Sequence, residues 1–549
     1  MTRQYRPADV VDFVIIGSGA AGGVIARELA RSRFNVVLLE QGPRFGPADF
    51  RHDELAYWFG NALLNDPQIC PQTYRRTVDD VATRARGFPY LWYARTVGGS
   101  STHFTGNYWR FHESDFKERS LLGAIPGTSL ADWPIDYAEL EPYYTRVEWE
   151  IGVSGLAGAS PFDPPRSRPY PMPPLPVKSS GVLLERGARK LGLHPFPAPM
   201  AINSVTYNGR PACVHCGFCM GYGCEMMAKS STLFTAIPEA EATGRCEVRS
   251  SSYAFRIETN SRGRVAGVAY FDADQREHVQ KARAVVLCAN GAESPRLLLM
   301  SANAQFPDGL ANSSGLVGKN LMFNTYCETG ARFEHPLNEY KSVQVTRIVH
   351  DFYESDPHRG FYGGGGIDSR IGPAPAGWAW LGTPTDRRWG AGFKEFLEGF
   401  PRSMVAATHG TSLPLETNRV DLDPDLKDAW GLPAMRVTYR DHPDDLATAR
   451  FLQARAAEIL AAAGAQEVWK LPVTEAMGSP HLLGTCRMGD DPDSSVVDRY
   501  HRSHDIPNLF ICDGSSLVTG GRGQPTMTIQ ALAFRAGEHI GRMARTGDI

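Results

Sequence analysis

Near the start of the chain, Asp12-Phe-Val-Ile-Ile-Gly is a short apolar run of strand type, followed by Gly17-Ser-Gly19-Ala-Ala-Gly22-Gly23 and a helical Val24-Ile-Ala-Arg-Glu-Leu-Ala-Arg. A second apolar run, Asn35-Val-Val-Leu-Leu, ends in Glu40. This is a complete βαβ unit with a glycine fingerprint at its first turn and an acidic residue at the expected distance, which predicts a dinucleotide site. Gly17 makes the tight turn, Gly19 lets backbone N–H groups approach a pyrophosphate, and Gly22 allows close helix–sheet contact. The N-terminus of the helix then faces the phosphates. The plainer reading of Glu40 is an ordinary surface carboxylate.

At 549 residues the chain is long enough for several core-forming units, and two-lobed enzymes of this size often interleave their segments. A net charge of -3, from 57 basic and 60 acidic residues, offers no basic field for a polyanion and disfavours nucleic-acid binding. No apolar run reaches the roughly 18 to 20 residues needed to span a bilayer. The N-terminal Met1-Thr-Arg-Gln-Tyr-Arg-Pro-Ala-Asp lacks the apolar region of a secretory signal, so a cytoplasmic location is expected unless a partner carries the chain to the periplasm.

Further along, Pro161 to Pro176 reads as a linker or wrapping loop. Ala284-Val-Val-Leu-Cys-Ala-Asn-Gly-Ala-Glu-Ser-Pro-Arg-Leu-Leu-Leu is a strand, a turn and a short helix that returns to the first sheet. The region from about Ala331 to Pro472 differs: it holds a Gly363-Gly-Gly-Gly366 turn and alternating stretches such as Arg419-Val-Asp-Leu-Asp and Met435-Arg-Val-Thr-Tyr, which predict an antiparallel sheet. Ala447 to Ala463 reads as an amphipathic helix.

Four separated motifs, in order, carry a resemblance to the glucose-methanol-choline family of FAD oxidoreductases: the N-terminal fingerprint, Val97-Gly-Gly-Ser-Ser, Gly291-Ala-Glu-Ser-Pro-Arg-Leu-Leu-Leu and His481-Leu-Leu-Gly-Thr-Cys-Arg-Met-Gly. Val496-Val-Asp, Asn508-Leu-Phe-Ile-Cys-Asp-Gly-Ser and Thr528-Ile-Gln-Ala-Leu-Ala look most like the bacterial sugar-dehydrogenase flavoprotein subunits of the gluconate and glucoside type. The resemblance implies an α/β fold: a Rossmann-like FAD domain assembled from 1–134, 205–325 and 472–549, and an interleaved substrate domain from 135–204 and 326–471, built on an antiparallel sheet with helices. It implies that Gly98, Gly99 and Ser100 belong to the cofactor site, that Asp513 contacts the ribityl–phosphate arm, and that Val248 lies near the adenine.

The same resemblance makes His481 the base that faces flavin N5. The chemistry independently asks for one, since oxidising an alcohol removes the hydroxyl proton as hydride leaves the carbon, and a neutral imidazole suits that task. The family's second active-site position is normally His or Asn. Here the turn reads Gly521-Arg-Gly-Gln524-Pro-Thr, so Gln524 offers an amide one methylene longer. Pro525 suits the first turn of the following helix, whose N-terminal dipole favours negative charge on the reduced flavin. Ser101-Thr-His-Phe is similar to the Ser-Thr-His-Trp of pyranose oxidases, in which that histidine is joined covalently to the flavin 8α-methyl. His103 is therefore either a covalent attachment point or a histidine packed at the flavin's dimethylbenzene edge.

The chain has ten cysteines, six of them scattered (Cys70, Cys246, Cys288, Cys327, Cys486, Cys512), and Cys288 and Cys512 lie in apolar strand-like runs that suit small buried thiols. Cys213, Cys216, Cys219 and Cys224 sit within twelve residues. Three readings apply. One is an iron–sulfur cluster, on the ferredoxin-like spacing and by analogy with sugar dehydrogenases of the family that carry a three-iron cluster, though their spacing differs. Another is structural zinc with His215 as substitute ligand, and the third is four reduced thiols in a packed loop.

The expected activity is oxidation of a secondary or hemiacetal hydroxyl of a sugar or glycoside to a ketone or lactone, with electrons passing to a small subunit, a cytochrome or a quinone. Its rivals are a pyranose-oxidase-like enzyme that returns electrons to O2 and releases peroxide, and a catalytically silent flavin or iron–sulfur electron carrier. An NAD-dependent dehydrogenase is disfavoured by the single fingerprint and the flavin-type C-terminal motifs.

Overall fold

The structure, a computed structural model, describes residues 4–370 and 374–549; the first three residues of the N-terminal segment lie outside the described residues. The fingerprint region folds as the sequence predicts, with the strand Val11–Ile16, the helix Ala20–Arg31 and the strand Val36–Leu39. Five parallel strands form the first sheet in the order Cys246–Arg249, Val36–Leu39, Val11–Ile16, Glu277–Leu287, Leu509–Ile511. Val14 pairs with Val37 on one side and Val285 on the other. Both faces of these strands are covered, which is why they read as continuous apolar runs rather than alternating ones. The N-terminal half of Glu277–Leu287 peels away and pairs antiparallel with Val265–Phe271, which pairs in turn with Tyr253–Thr259.

The long C-terminal helix Thr526–Thr546 packs on Ala20–Arg31. Gly537 permits that approach, because a Cβ there would lie 3.0 Å from the Glu28 side chain. The chain thus returns twice, through Glu277–Leu287 and through Leu509–Ile511, to finish the sheet that its first residues begin.

The second sheet is antiparallel throughout, in the order Glu467–Lys470, Tyr326–Arg332, Ser403–Gly410, Gly365–Arg370, Val345–Val349, Phe196–Pro197. Two-residue alternation divides its strands cleanly. One face sends Ala331, Met404, Ala406, Ile367 and Val349 into an apolar core with Ala456, Ile459 and Leu460 of the helix Pro443–Ala462, and with Leu184 of the helix Ser179–Lys190. The opposite face carries Tyr326, Glu328, Asp368, Arg370 and His409. The molecule is therefore an α/β fold with a parallel Rossmann-like sheet and a separate antiparallel sheet.

Three local expectations change. Arg419–Lys427 and Pro433–Thr438 do pair antiparallel, but in a third sheet with Gln72–Arg75 and Thr83–Arg84 rather than in the second. Alternation marks which face of a strand is buried and says nothing of which sheet receives it. The helix expected over Ala447 to Ala463 starts earlier, at Pro443, where the His442 side chain accepts from Asp444 N and Asp445 completes the cap. Of the four glycines expected to form a turn, Gly365 and Gly366 already belong to the strand Gly365–Arg370. Among the described residues no helix is long and apolar enough to cross a membrane.

Candidate active site

A cavity of about 900 Å³ lies between the C-terminal ends of the parallel strands and the polar face of the antiparallel sheet. Gly17, Gly19, Glu40, Gly99, Ser100, His103, Asp513, His481 and Gln524 all line it. Gly22, Gly98 and Val248 stand behind the wall instead. A Cβ on Gly22 would lie 1.9 Å from Gly17 O, so this glycine sets the helix–loop spacing. Gly98, at φ +95°, donates its N–H to Ser18 Oγ over 3.0 Å. Val248 pairs with Leu38, and the nearby lining comes from Ser252, Tyr253 and Ala254.

The end of the cavity beside the fingerprint is built for a dinucleotide. Gly17 has φ +94°, and a Cβ there would lie 2.4 Å from Cys288 O. Gly19 is open towards the cavity, its nearest neighbour for an added Cβ being Gly99 Cα at 3.9 Å. Backbone is thus left bare at the start of Ala20–Arg31, where helix N–H groups attract phosphate. Glu40 is no surface carboxylate: it is 5% exposed and accepts from Ser18 N (3.1 Å), Ser18 Oγ (2.7 Å) and Gly42 N (3.0 Å). Burial raises its pKa against those hydrogen bonds. Asp513 accepts from Asn290 N at 3.0 Å, Ser294 Oγ at 2.6 Å and Ser515 N at 2.7 Å, which ties the Gly291 motif to the C-terminal one.

His103 closes the same chamber. Its Nε2 is buried without a hydrogen-bond partner among the described residues, and burial, then the charge of Lys229, pushes its pKa down to about 4. Bare backbone at Gly19, a buried acid at each of two strand ends and an orphaned imidazole nitrogen fit FAD.

At the other end of the cavity, His481 is held by a hydrogen bond from its backbone N to Ser479 Oγ of 2.9 Å. Burial, then Arg370 and His409, lower the pKa of its imidazole to about 4, so the ring is neutral at pH 7. Gln524 follows Gly523, which sits at φ +115° with its would-be Cβ 2.7 Å from His409 Cδ2. This turn is anchored from both sides. Asn324 Nδ2 donates to Gly520 O (3.1 Å) and Gly521 O (3.1 Å), and Arg522 is buried against Asp115 and Glu118. Pro525 stands immediately before Thr526–Thr546, in place of the expected first turn.

The sequence reading missed the residues facing His481 across the cavity. Arg370 is clamped by Asp368 (Nε to Oδ1 3.0 Å, Nη2 to Oδ2 2.6 Å), and Tyr326 OH donates to Glu328. Burial raises the Glu328 carboxyl's pKa. His409 Nδ1 lies 3.4 Å from Asp368 Oδ2, a long contact through which the carboxylate opposes the lowering of the His409 pKa by burial. The available signal was the spacing Tyr326-Cys-Glu328 and Asp368-Ser-Arg370: polar residues two apart in strands whose other face is apolar.

The cysteine loop does not bear out the metal readings. Cys213, Cys216, Cys219 and Cys224 are free thiols, and among the described residues no three His, Cys, Asp or Glu side chains are grouped to hold a metal ion. The loop is gathered by a cation. Lys229 Nζ donates to the carbonyls of Phe104, Cys219 and Tyr222, each at 2.8 Å. Burial pushes the Cys219 thiol up to about 12 and Cys213 up to about 11, and His215 Nδ1 faces Ser342 Oγ at 3.3 Å. As they stand, these donors are not gathered around one centre for an iron–sulfur cluster or a zinc ion. The loop lies close to the cavity, since Gly221 N donates to His103 O at 2.9 Å and Met220 lines the wall. The six scattered cysteines are all buried.

A dinucleotide cradle that opens onto a neutral buried histidine defines a flavin-dependent oxidoreductase. Two models described as GMC oxidoreductase match residues 11–325 and 414–533, and the chain belongs to this family, which carries out FAD-dependent oxidation of CH–OH groups. It is 36% identical to 2-methyl-1,2-propanediol dehydrogenase of Mycolicibacterium austroafricanum, over 97% of this chain and 96% of that protein. It is 31% identical to the fructose dehydrogenase large subunit of Gluconobacter japonicus, over 98% and 99%. Among solved structures, a variant of formate oxidase from Aspergillus oryzae superposes with a TM-score of 0.68 at 15% identity, covering 99% of this chain and all of that one.

Proposed function

We propose that the protein oxidises a hydroxyl group of a neutral polyol, a sugar or glycoside in particular. His481 takes the hydroxyl proton, and the Gln524 amide holds the reacting oxygen. The observation that carries this reading is the meeting of a neutral imidazole, an amide and a polar sheet face in one cavity. Tyr326, Glu328 and the Asp368–Arg370 pair offer several donors and acceptors at fixed two-residue spacing, a surface suited to a substrate with several hydroxyls. Among the described lining residues Arg370 is the one lysine or arginine, and Asp368 already neutralises it. A carboxylate substrate would meet Glu328 with no free cation, so an aldonate such as gluconate is disfavoured.

Bound FAD would be held by Gly17, Gly19, Glu40, Gly99, Ser100 and Asp513, with Gly98 and Val248 shaping the backbone behind them and His103 at the dimethylbenzene edge. It supplies the hydride acceptor. The chain's own residues do the rest. His481 removes the proton as the C–H bond breaks, Gln524 fixes the oxygen's direction, and the antiparallel sheet shields the reacting carbon from water. The segments 1–134, 205–325 and 472–549 then make the FAD domain, and 135–204 with 326–471 the substrate domain.

We take the electron acceptor to be a partner, either a small subunit, a cytochrome or a quinone, in line with the relative that is named a large subunit. The test is anaerobic flavin bleaching with 2-methyl-1,2-propanediol, fructose, a glycoside and gluconate, followed by the ratio of dye reduction to peroxide release in air. Neutral polyols should bleach, gluconate should not, and dye reduction should dominate. Bleaching by gluconate alone would overturn the substrate assignment, and stoichiometric peroxide would make the enzyme an oxidase.

A further inference from the structure

Each turnover under the proposed reaction leaves one proton on His481, half-buried in the cavity wall, and that proton must depart before the next substrate is deprotonated. The antiparallel sheet holds a file of histidines leading away from the site. Tyr326, His409 and Gly366 stand opposite one another on three adjacent strands. His350 follows the strand Val345–Val349, whose Val349 pairs with Ile367 beside Gly366. A Cβ on Gly366 would lie 2.3 Å from His409 Nε2 and 2.7 Å from His350 Cδ2, so both imidazoles lean over a position that carries no side chain. Their ring centroids are 5.8 Å apart, and those of His350 and His112 are 5.9 Å apart. His112 Nδ1 then lies 3.1 Å from Glu354 Oε1, on a side chain that is 54% exposed.

The polar atoms along this file are left over. Among the described residues both nitrogens of His409, Nε2 of His350 and Nε1 of Trp109 are buried with no well-formed hydrogen bond, although His409 Nδ1 lies 3.4 Å from the Asp368 carboxylate. Trp109 flanks both histidines, with its ring 4.7 Å from His409 and 5.6 Å from His350. An unmatched buried donor or acceptor is destabilising, and ordered water is the usual remedy where several such atoms lie together. Among the described residues no direct hydrogen bond joins these rings, and centroid spacings of 5.8 and 5.9 Å are ones that a single water can bridge.

We infer that His409, His350 and His112, bridged by ordered water, form a proton exit route from His481 to Glu354 at the surface. The proposal rests on the alcohol-oxidising reading. The bookkeeping is one proton per substrate: the hydride leaves the carbinol carbon with its electron pair, the hydroxyl proton passes to His481, and the same charge emerges at Glu354. At the inner end, His409 and His481 both line the cavity. Each neutral imidazole accepts on one nitrogen and releases from the other, so no histidine in the file changes its charge over a cycle, and each restores its tautomer before the next proton passes. Burial holds both His350 and His409 below the ordinary histidine range, in His409 against the opposing charge of Asp368.

Two variants interrupt the file at different points. His350→Leu removes the middle relay, and His112→Phe removes the outer one while leaving a ring to stack on Tyr353. With FAD-loaded enzyme, stopped-flow measurement follows bleaching and, with an indicator dye, proton release in the same turnover. In the wild type the two should keep pace. In the variants first-turnover bleaching should be unchanged, proton release should slow by roughly tenfold or more, kcat should fall with kcat/KM preserved, and added imidazole should restore part of kcat. FAD retention and the melting midpoint identify any variant that misfolds, and the other variant then decides.

A high-resolution crystal structure gives a readout independent of turnover: water between His409 and His350 and between His350 and His112 is expected. Dry gaps, or variants that release protons at the wild-type rate with unchanged kcat, overturn the route. If no alcohol bleaches the flavin, the proposed function fails, and the proton route is judged on the crystallographic water alone.

Discussion

Arg522 sits two residues before Gln524, and its replacement by methionine should show how the active-site turn is held. The guanidinium is 1% exposed. It donates from Nε to Tyr353 O (2.9 Å), from Nη2 to Ser355 Oγ (3.0 Å) and from Nη1 to both Asp115 and Glu118. Arg522→Met therefore leaves two carboxyl groups facing each other without a cation in the interior. Removing one partner of a buried ion pair typically costs about 3–5 kcal/mol. Glu118 can relieve part of this by taking a proton, since burial already raises its pKa and Asp115 adds to the rise while Arg522 opposes it. In the variant that opposition is lost. Glu118 then holds its proton to higher pH in the folded chain than in the unfolded one, and folded stability falls as pH rises through that range. Urea unfolding of the FAD-loaded protein should thus show a deficit of about 3–5 kcal/mol near pH 8 that shrinks towards pH 5. Adding Glu118→Gln should recover part of it, because the second change removes one of the two stranded charges. A deficit below about 1 kcal/mol, or one that does not vary with pH, would show that the cluster does not anchor this turn.

Two further outcomes follow from buried groups. Gln524→Leu should cost roughly 2–4 kcal/mol in kcat/KM, as for loss of one hydrogen-bond donor to a reacting oxygen, with Gln524→Asn milder; equal and small effects from both would place Gln524 outside the chemistry. His103 and His481 are held at about 4 and His501 at about 3, chiefly by burial, against an ordinary 6.5. Below pH 6.5 the unfolded chain takes up protons that the fold refuses, so stability should fall as pH drops towards 4, by about 1.4 kcal/mol per pH unit per histidine. His501→Gln should flatten that slope without changing turnover, and a slope unaltered in this variant would show that His501 does not contribute to it.

The parallel sheet was legible because its signals are local. A strand, a glycine turn and a helix within 29 residues, from Asp12 to Glu40, specify one another, and Gly17 and Gly22 meet neighbours that no Cβ would tolerate. His481 and Gln524 were legible from their motifs, and the fold brings them into one cavity. The opposing wall was not legible. Tyr326, Glu328, Arg370 and His409 come from three strands as much as 83 residues apart in number, from Tyr326 to His409, and only register places them side by side. Nothing local announces that the space beside Gly366 is filled by two histidine rings. The cysteine spacing brought four thiols into one loop whose carbonyls Lys229 draws inward, and among the described residues no three such side chains are grouped to hold a metal ion.

The central claim is that a neutral His481 accepts the substrate proton. It is tested most directly by anaerobic stopped-flow reduction of His481→Ala that retains its FAD, using a polyol that bleaches the wild type. The bleaching rate should fall by roughly 10^2- to 10^4-fold, while the spectrum of the oxidised protein and its melting midpoint stay unchanged. Bleaching at the wild-type rate would contradict the assignment and move the base to another residue of the cavity, His409 first.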